Sequence, residues 1–588
     1  MSRMTGSQGG QFLVSHTNAQ DIFTPEEFSA ESLLIGRTAD DFLRKEVLPH
    51  NDKIENHDVE LMHKLMHKAG DLGLLGGDVP ETYGGLGLDV PTAALIAEKL
   101  NYQQSFALSH EAHTVIATMP LMLFGSDYLK RKYLPKMASG EWIGSFCLSE
   151  SGSGSDALGA SAKATLSLDG TQWILTGEKM WITNAGFADI FTLFAKVDGD
   201  KFSCFMVERD TPGLSFGPEE HKLGMKGTST CRVILDNVYV PKENLVGEVC
   251  KAHHAAFCAL NMGRFKLEAG AVGGIKELLA ICSTYTTQRK QFGKPIAEFG
   301  LIQAKLGEMC ARLFALESAI YRLAGQLEGG FSIVNPSADN APEKYHEAAE
   351  EFAIECGIVK VFGSELYSWA ADEAIQIHGG YGYTEEFPVA RAWRDQRLLR
   401  IGEGTNEVVR LNIVSTLLRR VKQGRIALVP PVALVEPDPN SDEFNLMAVT
   451  DASTIQAMRQ HAMFLLSLAQ KTFGDKLMDE QEVVAAIADI VIAVYVLESA
   501  WLRAQKLMQL GASQEKVIHA VDAARICTWE AMGRVSSIAN DAVGRLVAHG
   551  ADVTGGPDSW GAMIGMDCIG LRRDLAKAVL EKQAYPWS

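Results

Sequence analysis

The sequence predicts a mainly α protein with a small central β domain and a further helical domain appended after a proline-rich break. Three observations carry that prediction. Apolar residues recur three and four apart over about residues 26–145, 257–425 and 444–580, the spacing of a buried helix face. Between the first two stretches lie short β-branched and aromatic runs cut by Gly and Asp turns. Pro430, Pro431, Pro437 and Pro439 then crowd one short segment that can sustain neither helix nor strand.

Length and charge limit the function. A chain of 588 residues is too long for one core, and its 47% hydrophobic and 22% charged content is that of an ordinary globular protein. A formal net charge of -18 argues against nucleic acid as a partner. The ten cysteines show no C-x-x-C pair and mostly sit in apolar contexts, as buried small hydrophobes in a reducing compartment do. No signal or transit pattern is visible in the first 25 residues. No apolar run approaches a membrane span, the best candidate being 490–497 behind Asp489. The expectation is a cytoplasmic protein, at most peripheral on the inner membrane.

In chain order, the polar residues 1–25 are expected to form a flexible arm. Thr24-Pro25-Glu26-Glu27 predicts the first helix start, opening an N-terminal helical domain over 26–145. Within it, His110-Glu111-Ala112-His113 is one residue short of the H-E-x-x-H zinc motif and reads as packing histidines, with no metal implied. Residues 146–250 read as an antiparallel barrel or sandwich, from runs such as Trp173-Ile174-Leu175-Thr176 and Phe202-Ser203-Cys204-Phe205. A helical bundle follows over 251–425, interrupted at His378-Gly379-Gly380-Tyr381-Gly382-Tyr383, then a linker over 426–443 and the appended helical domain over 444–588. This order is neither a Rossmann nor a TIM pattern, and there is no G-x-G-x-x-G after a strand, no Walker A and no G-x-S-x-G.

One carboxylate stands out. Glu403 lies between Gly402 and Gly404, where backbone and ligand approach closely. It suits a general base if its surroundings raise its pKa; the plain alternative is a solvated residue between a helix end and an N-cap. Ser149 and Thr183 are suited to donate to the edge of a bound ring and Trp181 to wall it, a Gly/Ser loop and an ordinary core tryptophan being the plain alternatives. Arg289 before Phe292-Gly293 suits a diphosphate or is a surface cation.

Six blocks in order settle how these are read together. They are Pro80-Glu81-x-Tyr83-Gly84-Gly85, the run from Phe146-Cys147-Leu148-Ser149 to Ser155-Asp156, Lys179-Met180-Trp181-Ile182-Thr183-Asn184, Arg289-Lys290-Gln291-Phe292-Gly293, Gln376-Ile377-His378-Gly379-Gly380 and Glu403-Gly404-Thr405-Asn406. Over about residues 30–420 the chain resembles the acyl-CoA dehydrogenase family. The resemblance implies FAD as cofactor. Phe146, Leu148, Ser149, Trp181, Ile182 and Thr183 would surround the flavin ring, and Arg289, Phe292 and Gln303 would bind FAD across a dimer interface. Gln376, Gly379 and Gly380 would approach its pyrophosphate or ribityl, and Thr405 and Asn406 would contact FAD and substrate. Ser155, Asn261, Arg264 and Gly404 would hold the fatty acyl-CoA, with Ser155 and Arg264 on its CoA part. The family's base stands either in the E-G-T turn or immediately before the arginine matching Arg264. The latter position is Gly263 here, which leaves Glu403 to remove the α-proton while the β-hydride passes to flavin N5, giving a trans-2-enoyl-CoA.

Two departures concern Ser151, where the family often has proline, and Gly402, where several members carry an aromatic residue. The roughly 160 residues beyond 420 resemble the layout of the very-long-chain type, a homodimer. By the same resemblance, Ala117 and Pro120 fall where medium-chain members carry bulkier polar residues and very-long-chain members carry glycines, which implies a deep cavity for long acyl chains. Arg410, Arg419, Arg420, Lys422 and Arg425 suit anionic lipid or a solvated helix end. An electron-transfer flavoprotein is the implied acceptor; an acyl-CoA oxidase and an assembly or scaffold protein on the same fold remain the alternatives.

Overall fold

A computed structural model describes residues 8–338, 340–428, 443–553 and 566–588. The N-terminal helical domain comprises α1 (Ala30–Phe42), α2 (Asn51–Glu55), α3 (Val59–Asp71), α4 (Val90–Leu100), α5 (Gln104–Glu111), α6 (Thr118–Phe124) and α7 (Asp127–Ser139). Five of these starts are set by side-chain caps. Ser29, Asp58, Asp89, Gln103 and Ser126 each accept the backbone N–H three residues on. The start expected at Thr24 is only a 3-10 turn, Pro25–Glu27, closed by a Thr24/Glu27 capping box. The chain then extends at Phe28, whose ring packs edge-on to Tyr321 at 5.2 Å, so the α-helix begins after Ser29. Between α5 and α6 the residues Ala112–Ala117 widen into a π-helical turn, a feature frequent at functional sites. His110 and His113 are packing groups: their Nε2 atoms meet the Leu74 and Met137 carbonyls, and His113 Nδ1 accepts the Gly144 N–H.

The expected flexible arm is corrected from Gln8 onward. Phe12, Leu13, Ala19 and Ile22 are buried, and the Gly9 and Gly10 amides donate to Glu351 and Glu355 at 2.8 and 2.7 Å. Few apolar residues mark this stretch, but each lands in a core supplied by distant helices.

The β domain is β1 (Gly144–Cys147), β2 (Lys163–Leu166), β3 (Gln172–Thr183), β4 (Ile190–Val197), β5 (Lys201–Glu208), β6 (Leu214–Glu219), β7 (Thr230–Pro241) and β8 (Leu245–Val246). They form one sheet in the order β6-β7-β3-β2-β4-β5-β8, with β1 beside β4. The expectation of a wholly antiparallel sheet is corrected: β1 and β2 both run parallel to β4. Long connections rather than hairpins join these pairs, and only such connections allow parallel pairing. Trp173, Leu175, Phe191, Leu193, Phe205 and Val233 fill a core belonging to this domain.

The C-terminal bundle is α8 (Ala252–Gln288), a short hairpin of β9 (Lys290–Gln291) and β10 (Lys294–Pro295), α9 (Gly300–Phe331), α10 (Ala341–Glu351), α11 (Ala353–His378), α12 (Pro388–Gln396) and α13 (Asn406–Lys422). The appended region supplies α14 (Glu443–Phe473), α15 (Gln481–Gln509), α16 (Gln514–Ala548) and α17 (Cys568–Lys582). The proline-rich linker falls largely outside the described residues. Bundle and appended helices share one apolar core. At Gly307 of α9 a Cβ would stand 2.1 Å from the Arg572 carbonyl of α17, so the two helices touch backbone to backbone.

Two sequence expectations change here. Helix α15 is long and apolar enough to cross a membrane, with mean hydropathy 2.1 over its best window, but 83% of that window is buried against neighbouring helices. The cations suited to lipid are held by acids of the fold. Arg410 pairs with Glu365 and Asp489, and Arg419, Arg420 and Arg425 converge on Glu350 and Glu351. Lys422 alone of the five makes no ion pair among the described residues.

Candidate active site

The turn carrying Glu403 is built by what flanks it. Helix α12 passes into a 3-10 turn, Arg397–Arg400, and α13 restarts with the Thr405 hydroxyl as N-cap, accepting the Val408 N–H at 3.4 Å. Between them Glu403 and Gly404 take left-handed backbone, φ 56° and 94°. For a glutamate this costs about 1–3 kcal/mol and persists only where the surroundings impose it. Those surroundings are two cations. Arg264 of α8 donates Nε–H to the Glu403 carbonyl at 2.9 Å, and the buried Lys360 of α11 donates to the Gly404 carbonyl at 2.6 Å.

The Glu403 carboxyl turns inward. Its Oε2 is buried without a hydrogen-bond partner among the described residues. Gly263 explains the space: a Cβ there would stand 3.2 Å from the Glu403 Cδ and 3.3 Å from both its Oε2 and the Ile116 methyl of the π turn. The two places where a base was expected are therefore one place in space. Burial pushes the Glu403 pKa to about 7 against the pull of Arg264 and Lys360. At Gly402 a Cβ would stand 3.7 Å from the Leu398 carbonyl, ordinary contact, so a side chain there would pack on Leu398 without a clash at its first atom.

The two segments expected around the flavin ring are neighbours. The Met180 N–H donates to the Ser149 carbonyl at 2.9 Å, and Lys179 Nζ to the Leu148 carbonyl at 3.1 Å. A bulge in the β3–β7 ladder between Lys179 and Ile182 puts Trp181 in left-handed backbone, φ 59°, and leaves its ring 56% exposed. Phe146, Leu148 and Ile182 are buried, whereas Ser149 and Thr183 are half-buried.

A second group lies where α8 and α11 end. Arg289 stands 5.4 Å from the Tyr381 ring, and Tyr285 stacks on His378 at 4.1 Å. Gln376, Gly379 and Gly380 are exposed. Phe292, φ 52°, has its ring 94% exposed, and Gln303 donates to the Ala297 carbonyl at 3.1 Å. Among the described residues no hydrogen bond or ring contact joins this group to the Trp181 segment. Gly379 adopts φ 60°, ψ -136°, which only glycine tolerates, and a Cβ there would meet nothing within 4 Å. Gly379→Ala is thus a pure backbone test: thermal melts should show about 1–3 kcal/mol lost, with weaker flavin retention.

Several expected ligand contacts are engaged within the fold. Arg264 does not face outward: besides Glu403 it binds the Asn261 carboxamide at 3.1 Å, and both therefore brace the turn. Asn406 is buried, accepting Lys360 at 2.6 Å and donating to Ser364 and Glu365 at 3.0 and 3.1 Å. Thr405 is the N-cap, and Ser155 is exposed on its loop. Ala117 gives its carbonyl to Thr192, and its methyl lies 3.0 Å from where a Gly144 Cβ would be, so its smallness admits β1. Pro120 is buried.

Sequence reasoning missed Lys360, Glu111 and Glu268. Lys360 has a signal, a lone cation inside the apolar run Ile358-Val359-Lys360-Val361. Burial lowers its pKa to about 8. Neither carboxyl oxygen of Glu111 or of Glu268 has a hydrogen-bond partner among the described residues. Burial raises Glu111 to about 8 and Glu268 well above the usual range, which favours the neutral form of both acids behind the turn.

Comparison with known proteins gives the same assignment along the whole chain. Acyl-CoA dehydrogenase models match the N-terminal domain over residues 29–141, the middle domain over 145–238 and the C-terminal domain over 254–418. A further acyl-CoA dehydrogenase C-terminal model matches 457–552. A probable acyl-CoA dehydrogenase of Bacillus subtilis is 44% identical over 544 residues, 91% of each chain. The human mitochondrial very long-chain specific acyl-CoA dehydrogenase is 38% identical over 61% of this chain and 54% of its own. A solved acyl-CoA dehydrogenase from Bacillus anthracis, complexed with FAD, superposes with TM-score 0.92 at 39% identity, covering 99% and 100% of the two chains.

Proposed function

The chain belongs to the acyl-CoA dehydrogenase family, FAD-dependent oxidoreductases, and from that premise we propose that Glu403 is the base that removes the α-proton of a fatty acyl-CoA thioester. One observation carries the reading: a carboxylate with an unpartnered buried oxygen, tuned to about 7, on a strained turn fixed by two cations. At neutral pH such a group is ionised in about half the molecules, so it can accept a proton and release it again.

The residues present fit FAD. Trp181 offers an open aromatic face on a bulge, Thr183 ends the same strand, Ser149 lies in the segment after β1 that meets Met180, and Gly379 leaves backbone open near Arg289. When bound, the flavin supplies the acceptor for the β-hydride. The protein's own part is to hold the α-carbon against Glu403 and to exclude water, which is what keeps the carboxyl above its ordinary pKa. The Glu403 amide and the flavin ribityl would steady the enolate-like charge on the thioester oxygen. The product is a trans-2-enoyl-CoA.

A homodimer belongs to the same reading, supported by the uncovered Phe292 ring beside Arg289. So do a long acyl chain, supported by similarity to the very long-chain relative, and an electron-transfer flavoprotein as acceptor. A cytoplasmic location is retained, while the paired cations remove the reason for a lipid contact.

The test is anaerobic bleaching of the flavin by acyl-CoAs from butyryl to stearoyl. Bleaching fastest with the longer chains is expected. A maximum shorter than decanoyl refutes the chain-length reading, and no bleaching with any of them refutes the activity. Rapid oxygen uptake on adding substrate would instead favour the oxidase alternative.

A further inference from the structure

The turn that carries Glu403 is tied bond by bond to the appended domain. Lys360 Nζ holds the Gly404 carbonyl and the Asn406 carboxamide, each at 2.6 Å. Asn406 Nδ2 donates to Glu365 at 3.1 Å, and Glu365 accepts two parallel bonds from Arg410 at 2.8 and 3.0 Å. Arg410 Nε then donates to Asp489 of α15 at 2.8 Å. These are charge-assisted bonds, the strong and directional kind. A cavity of about 270 Å³ flanks the last links, walled by Glu365, Arg410 and Asp489 with Trp369 and Ile492.

We propose that Asp489 and Arg410 are positioning residues for the base: the appended domain fixes the reach of Arg410, and through Glu365 and Asn406 it keeps the Lys360 ammonium on the Gly404 carbonyl. The need for such a hold follows from the strained backbone. Released, Glu403 relaxes toward ordinary backbone angles, and a displacement of about 1 Å at a reacting group costs up to about 10²-fold in rate. General adhesion between domains does not explain the chain, because other junction pairs lead elsewhere. Arg312 of α9 and Glu530 of α16 pair at 3.0 Å, and their further ion partners are Glu308 and Arg572, on α9 and α17.

The titratable groups around the carboxyl are Arg264, Lys360 and the buried acid Glu111, and those around Lys360 are the buried acid Glu268, Arg264, Glu403 and Glu407. If Lys360 recedes, Glu403 loses a cation and its ionisation moves to higher pH.

The inference rests on Glu403 being the base, and the test separates the two. Full-length FAD-loaded Asp489→Asn, Glu530→Gln and Glu403→Gln are compared with wild type for kcat, KM, pH profile and melting temperature. Asp489 and Glu530 are 20% and 18% exposed and both face the cavity, so solvent can reach the new amide in each variant. Asp489→Asn is expected to lower kcat roughly tenfold with little change in KM, and to move the acid limb of the profile upward. Glu530→Gln should leave both in place. Unchanged kcat and profile in Asp489→Asn, or an equal change in Glu530→Gln, overturns the positioning role while leaving the base intact. Near wild-type turnover by Glu403→Gln overturns the base itself. Should Asp489→Asn not fold, Arg410→Lys, which keeps the charge and loses the paired bonds, is read by the same criteria.

Discussion

Glu403→Gln lowers kcat for α,β-dehydrogenation by about 10²–10⁴-fold, with flavin content unchanged. The amide has the shape of the acid but cannot take a proton. The fold should tolerate it, because the buried Oε2 makes no bond to lose. Wild-type activity should fall about tenfold per pH unit below about 7, as Glu403 protonates. The stability effect has the opposite sign. A carboxyl raised by burial favours the folded state most below its unfolded value of 4.5, and that favour is lost as pH rises through about 7. Glu403→Gln therefore flattens the decline of melting temperature over this window. Since a Gly263 Cβ would reach the same carboxyl, adding Gly263→Glu to the Gln variant should restore part of the rate.

Lys179→Met destabilises the protein by about 3–5 kcal/mol and empties it of flavin. Lys179 and Glu150 are both buried, paired at 2.7 Å, and Glu150 also accepts the Ala162 N–H at 3.0 Å and both Ser161 donors. Burial alone would raise the Glu150 pKa, yet Lys179 and Ser161 hold it at about 2. Removing the cation leaves a charge in an apolar core. It also frees the Leu148 carbonyl, in the segment after β1 whose Ser149 carbonyl accepts the Met180 N–H. Chemical denaturation and flavin absorbance of the purified variant check both effects. Adding Glu150→Gln to Lys179→Met should recover part of the stability, since no unpaired charge then remains.

The sequence carried the helical–β–helical order, the Glu403 turn and the β runs around Trp181, because each depends on neighbours in the chain: a carboxylate between glycines, a β-run broken by turns. It did not carry the second layer of the site. Lys360, Glu111 and Glu268 stand on three helices that only the tertiary fold brings together. Arg264 was legible as a site residue, but its target was not: the guanidinium holds the Glu403 carbonyl, a contact across 139 positions. The parallel pairing of β1 and β2 with β4 was hidden for the same reason, as strand type reports side-chain pattern and not partner direction.

The packed stretch after Gln8 has a consequence for synthesis. The Ile22 carbonyl accepts from Lys506, and Glu26 pairs with Arg503, across 484 and 477 positions. A ribosome must therefore add about 480 further residues before this stretch can dock. Until then Phe12 and Ile22 stay exposed on the nascent chain, as candidates for a holdase. Limited proteolysis of stalled nascent chains should cut this segment until the residues of α15 have emerged from the exit tunnel, and spare it afterwards.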